Sequence, residues 1–102
     1  MIIIQGTTPT HSFQIPFDTS TIKTVRFVYS QNGEVVFVKT GEDVGISADS
    51  VATNLTQEET YSFEPDLRVK LILRILTHEG KALASDPVWF VCRGCECKEI
   101  MQ

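Results

Sequence analysis

Apolar and polar residues alternate along most of this chain with a period of two, the mark of strands that bury one face. The clearest run is Leu67 to Thr77, where Leu67, Val69, Leu71, Leu73 and Ile75 alternate with Arg68, Lys70, Ile72 and Arg74. A helix does not place apolar residues at every second position over so long a stretch. Within 22–30, Val25, Phe27 and Tyr29 alternate with Arg26 and Val28, and Val35 to Val38 return after Asn32-Gly33. Asn-Gly between β-rich runs predicts a type I′ hairpin, because that turn needs positive φ at both central positions. His78-Glu79-Gly80-Lys81 predicts a second tight turn, with Ala82 to Cys92 as the returning strand. Asp86-Pro87 interrupts that strand, since proline cannot donate to a ladder. Shorter strands are expected at 2–5, 11–15, 44–46 and 51–55. Thr56 to Thr60 reads as one helical turn, capped by Thr56 and closed by Glu59 in a capping box.

About seven short strands, separated by turn signals and with no packed helix, predict an all-β chain. The expected architecture is an antiparallel two-sheet β-sandwich of immunoglobulin-like type. Residues 1–91 form the sandwich in this reading, and 92–102 a Cys-containing C-terminal tail.

The two turns fix expected side-chain pairs. A two-residue turn at Asn32-Gly33 pairs Tyr29 with Val36 and Phe27 with Val38, and leaves Arg26, Val28, Val35 and Phe37 on the other face. A two-residue turn at Glu79-Gly80 pairs Val69 with Phe90 and Leu71 with Val88. The opposite face then carries Arg68, Lys70, Ile72, Arg74, Trp89 and Val91, and a bulge near Ser85 to Pro87 keeps Asp86 from facing Leu73 in the core. With the hairpins side by side, Val28, Phe37, Ile72, Trp89 and Val91 share one surface with Arg26, Lys39, Arg68, Lys70 and Arg74. Five of the nine basic residues would lie there, in a chain of net charge -4. Three readings stand: a protein interface, where aromatics and Arg are enriched; a solvated face on which long Arg and Lys stems cover apolar neighbours; or a different strand register.

Composition narrows the function classes. With 102 residues, 42% hydrophobic and 22% charged, the chain is one ordinary globular domain. The acidic balance argues against nucleic-acid binding by general electrostatics. Met1 to Gln5 is too short for a signal peptide and lacks basic residues, and the longer apolar stretches are broken by Arg or Lys. Neither secretion nor membrane insertion is expected, and the chain is expected to fold in a cytoplasm. His11 and His78 lack a nucleophile motif beside them, and no dinucleotide or phosphate loop is present. No catalytic residue, cofactor or metal is expected. Cys92, Cys95 and Cys97 supply three thiols in one cluster, short of the four ligands of a structural zinc site. Plain buried or tail cysteines are the main reading, and contact of a tail thiol with a neighbouring subunit is the alternative.

Three stretches carry a resemblance. They are Ile4-Gln5-Gly6-Thr7-Thr8-Pro9-Thr10-His11 with Pro16-Phe17-Asp18; Leu55-Thr56-Gln57-Glu58-Glu59-Thr60; and Val69 through Arg74-Ile75-Leu76-Thr77, with Gly80-Lys81-Ala82-Leu83-Ala84-Ser85-Asp86. Together they resemble a group of short immunoglobulin-like proteins encoded among virion genes of tailed phages and prophages of Gram-positive and gut bacteria. The resemblance implies a non-enzymatic structural or assembly role in the particle, made in the host cytoplasm and packed against other virion subunits, itself included. It offers no catalytic residues, and the Cys-rich tail falls outside the shared pattern. Carbohydrate or host-surface recognition through an exposed Trp89 is the alternative function.

Overall fold

The alternating segments form strands where expected, and their pairing gathers them into two sheets. The computed structural model describes residues 1–96 and 99–102. Its strands are β1 (Ile2–Ile4), β2 (Thr10–Gln14), β3 (Ile22–Gln31), β4 (Glu34–Thr40), β5 (Val44–Ile46), β6 (Ser50–Asn54), β7 (Arg68–Thr77), β8 (Ala82–Ala84) and β9 (Val88–Arg93). The larger sheet runs β1-β9-β7-β3-β4, with β8 also paired to β7, and the smaller runs β2-β6-β5. Every pairing is antiparallel except that of β1 with β9. Hairpins β3–β4 and β7–β9 lie side by side in one sheet while β5–β6 joins β2 in the other. This strand order defines an immunoglobulin-like sandwich, with β4 as the added edge strand of the variable type. The eight segments read as strands become nine because the last is split into β8 and β9.

Between the sheets lies one apolar core that includes Ile3, Val25, Phe27, Tyr29, Val51, Leu55, Phe63, Val69, Leu71 and Phe90. The crossover from β6 to β7 carries the short helix α1 (Gln57–Tyr61), with Thr56 and Glu59 in the expected capping box. Among the described residues no helix is long and apolar enough to cross a membrane.

Local geometry decides which faces point out. Asn32 and Gly33 take φ values of 52° and 81°, as a type I′ turn requires. Past the turn the register shifts. Ser30 pairs with Val35, but Tyr29 pairs with Phe37, Val28 with Val38 and Phe27 with Lys39. Val36 is the extra residue of a bulge. The expected Tyr29–Val36 and Phe27–Val38 pairs are therefore wrong by one residue, and Phe37 turns inward. Its ring sits 4.9 Å from that of Tyr29 and 5.2 Å from that of Phe63. Burying an aromatic ring contributes roughly 2–3 kcal/mol, and the bulge lets Val36 and Phe37 both pack against the core.

In the second hairpin two differences cancel. Thr77 N–H bonds to the carbonyl of Lys81, so the loop holds three residues, 78–80, with Gly80 at φ 86°. Ser85 N–H then bonds to the carbonyl of Leu73, and the chain leaves the ladder before Val88. That bulge restores the expected register: Val69 faces Phe90 and Leu71 faces Val88.

Candidate docking face

Inward side chains of β3, β7 and β9 are Val25, Phe27 and Tyr29; Val69, Leu71, Leu73 and Ile75; and Phe90 and Cys92, all buried. Their alternates form the outer face. On it the registers place Val28 between Val38 and Ile72. Along β7, Lys70 lies beside Trp89 and Arg68 beside Val91, which in turn neighbours Ile2. At the other end Arg26 lies beside Arg74. Val38, Trp89 and Val91 are 41%, 43% and 45% exposed, and Ile2 and Ile4 are also exposed. Val28, Lys70 and Ile72 are half-buried, and Arg26, Arg68 and Arg74 are exposed.

The structure thus brings together Arg26, Val28, Lys70, Ile72, Arg74, Trp89 and Val91 on one surface. It removes Phe37, whose place is taken by Val38, because of the bulge at Val36. It also removes Lys39, which is 5% exposed. Lys39 Nζ lies 2.8 Å from both carboxylate oxygens of Glu59. Arg93, continuing the outward alternation of β9, joins the face. The six strands of this sheet contain one carboxylate, Glu34, at the hairpin end opposite the buried Gln31. Asp66 stands at the rim, in a hollow shared with Arg68, Lys70 and Trp89.

Trp89 is held in place by cations. The Arg68 guanidinium carbon lies 4.3 Å from the ring centroid, and Lys70 Nζ 5.7 Å from it. Such contacts fix the ring at its exposed position and contribute roughly 0.5–1 kcal/mol at a surface. What this face can do chemically is bind: it offers rigid apolar area flanked by charge-assisted donors.

Two polar pairs in the interior satisfy each other, His11 with Tyr29 and Lys39 with Glu59, while the buried Gln5 Oε1 has no hydrogen-bond partner among the described residues. The Tyr29 hydroxyl lies 2.6 Å from His11 Nδ1, and the His11 ring stacks 4.6 Å from Phe90. Burial holds His11 below its ordinary value. Burial, and then the Glu59 charge, push Tyr29 far above the ordinary phenol range. The phenol therefore keeps its proton and donates to a neutral imidazole. Burial raises Glu59, but hydrogen bonds from Lys39 and from Thr56, with the Lys39 charge, outweigh it and leave the carboxyl below its ordinary value.

The cysteines divide. Cys92 lies in β9 at 0% exposure, and burial followed by the Asp66 charge pushes its thiol up. It faces the core, where no neighbouring subunit can reach it, because β9 runs on through Arg93 instead of ending before a tail. Cys95 is half-buried, and Cys97 lies outside the described residues. Among the described residues no group of His, Cys, Asp and Glu side chains could hold a metal ion.

Sequence reasoning missed four contributors to the face. Ile2 and Ile4 arrive through the parallel pairing of β1 with β9, which no turn signal announces. Val38 arrives through the bulge, and Arg93 through the longer β9.

No family model matches the sequence, and no curated protein is similar to it at a significant level. Among solved structures the chain is similar to the V domain of amphioxus IgVJ-C2, at 14% identity and a TM-score of 0.33, over 88% of this chain and 96% of that one. The immunoglobulin-like class rests on the strand order itself.

Proposed function

We propose that this chain is a non-enzymatic packing module, a structural or assembly component of a tailed-phage particle. It docks on other protein subunits through the outer face of the six-stranded sheet, other copies of the chain included where they offer a different surface. The observation that carries this reading is the face itself: Val38, Val28 and Ile72 form an apolar row across three registered strands, and Trp89 and Val91 on β9, both partly exposed, lie beside Lys70 and Arg68. Apolar bands of this kind mark interaction sites, and Trp and Arg are the residues most often found as binding anchors. The phage setting comes from the sequence resemblance. With it go assembly in the host cytoplasm and residence in the virion.

Carbohydrate recognition would use a bare aromatic platform. Here the Arg68 guanidinium carbon lies 4.3 Å from the Trp89 ring centroid and occupies one face of the ring, which favours protein packing.

Sedimentation velocity tests the proposal. The wild-type chain, alone and mixed with products of the genes flanking its own, should sediment as a complex with at least one of them. Trp89→Asp should leave it monomeric. Association unchanged by Trp89→Asp overturns the assignment.

A further inference from the structure

The apolar row Val38–Val28–Ile72 lies between two groups of cations. Arg68 and Lys70 flank it on one side, and Arg26 and Arg74 on the other. The second group is unusual. Arg26 and Arg74 are direct partners in the antiparallel β3–β7 ladder, where facing Cβ atoms stand roughly 5 Å apart and like charges destabilise the pair. Among the described residues neither Arg is in an ion pair with a carboxylate. Both side chains line a surface cleft of about 200 Å³, together with Thr24, Ile75, Leu76 and Ala82. The isolated domain gains nothing from two like charges at facing ladder positions beside an open cleft. An oxyanion seated between them would turn the repulsion into two charge-assisted contacts, and Arg is the residue whose planar fork matches a carboxylate.

We propose that Arg26 and Arg74 form a clamp for a carboxylate side chain on an acidic protein surface that docks over this face. The inference rests on the docking role proposed above and adds the chemistry of the partner. Charge complementarity selects the occupant. The outer face carries Arg26, Arg68, Lys70, Arg74 and Arg93 at its outward strand positions and no carboxylate there. A second copy offering the same face would bring cation against cation, so the partner surface is acidic. A nucleic acid would match the charge but not the apolar row Val38–Val28–Ile72 that runs between the two cationic groups. From Lys70 to Arg74 is roughly 13 Å along the strand. The partner therefore presents carboxylates about that far apart, with an apolar side chain between them.

The probes are a soluble synthetic peptide alternating Glu with Leu, the matching Lys–Leu peptide, and a thymidine oligonucleotide, each titrated into the 15N-labelled full chain at low salt. The Glu–Leu peptide should shift the side-chain signals of Arg26 and Arg74 and the amides of Val28 and Ile72, and the Lys–Leu peptide should shift none of them. Arg26→Gln with Arg74→Gln should weaken the Glu–Leu peptide at least tenfold, and Arg93→Gln, at the far end of β9, less than twofold. The same double variant should melt no lower than wild type at low salt, because it relieves a repulsion. Loss of binding in Trp89→Asp but not in the double Arg variant overturns the clamp and leaves the docking face standing. Binding undiminished in both variants overturns both. An oligonucleotide that binds more tightly than the Glu–Leu peptide, or a lowered melting temperature in the double variant, overturns the protein carboxylate as the clamp's ligand.

Discussion

Lys39 Nζ lies 2.8 Å from both carboxylate oxygens of Glu59, and the same carboxylate closes the cap of α1 by accepting the Thr56 backbone N–H at 2.8 Å. One side chain thus ties the crossover between the sheets to edge strand β4. The two partners are unequally buried, with side chains 7% and 25% exposed. Removing the carboxylate strands an ammonium in the interior, whereas removing the ammonium leaves a carboxylate that water can still reach. Glu59→Ala should cost about 3 kcal/mol, and Lys39→Met less than about 1 kcal/mol, in equilibrium urea denaturation. Equal costs would show that the asymmetry of burial does not matter here.

Acid should weaken the fold through His11. Its Nδ1 accepts from Tyr29, and burial holds its pKa below the ordinary 6.5. The unfolded chain therefore takes up this proton first. His11 contributes its full stability above 6.5, and that contribution is lost as pH falls through the folded value. The depressed Glu59 contributes in the same sense further into the acid range. Melting temperature should decline below pH 6.5, beginning where His11 titrates. His11→Asn, which keeps an acceptor for Tyr29 but does not titrate, should flatten the first part of the decline.

Two glycines with nearly the same φ should respond differently to alanine. Gly6 and Gly33 both sit at φ 81°. A Cβ on Gly6 would stand 2.6 Å from Tyr61 Oη and 2.8 Å from its Cζ, while one on Gly33 would meet nothing within 4 Å. Gly33→Ala should cost about 1 kcal/mol, the conformational term alone. Gly6→Ala should cost more, up to about 3 kcal/mol, because the end of the half-buried Tyr61 side chain must also shift. Thermal denaturation of the two variants makes the comparison.

Thiol chemistry should distinguish Cys92 from the residues beyond β9. With its side chain in the core and its thiol pushed up by burial, Cys92 should stay unmodified by iodoacetamide in the native protein and react in guanidinium. Mass spectrometry of the digested protein locates the label. Rapid native modification of Cys92 would place β9 outside the sandwich.

The sandwich was legible in the sequence because its two main hairpins carry period-two patterns of nine or ten residues and turns with a chemical signature at Asn32-Gly33 and Gly80. Register was legible only in part. Near Val36 two adjacent positions are both apolar, so alternation does not say which one faces in, and the answer depends on Phe63 and Glu59, which reach β4 from the crossover. In β9 the expected register came out right because a longer loop and a bulge offset each other, while β8, ahead of the bulge, is one residue off. Pairing of β1 with β9 was invisible, since parallel neighbours distant in sequence leave no local trace. The buried Lys39 and the His11–Tyr29 bond were also hidden, as each needs a partner brought by another element.

Trp89 is the chain's only tryptophan and stands at the centre of the proposed docking face, so its intrinsic fluorescence reads that face directly. The free protein should show the red-shifted, acrylamide-accessible emission of a ring 43% exposed. When the chain is assembled with its partner subunit, as sedimentation confirms, the emission should move to the blue and quenching should fall. A complex that forms while Trp89 emission and quenching stay as in the free chain would contradict the account.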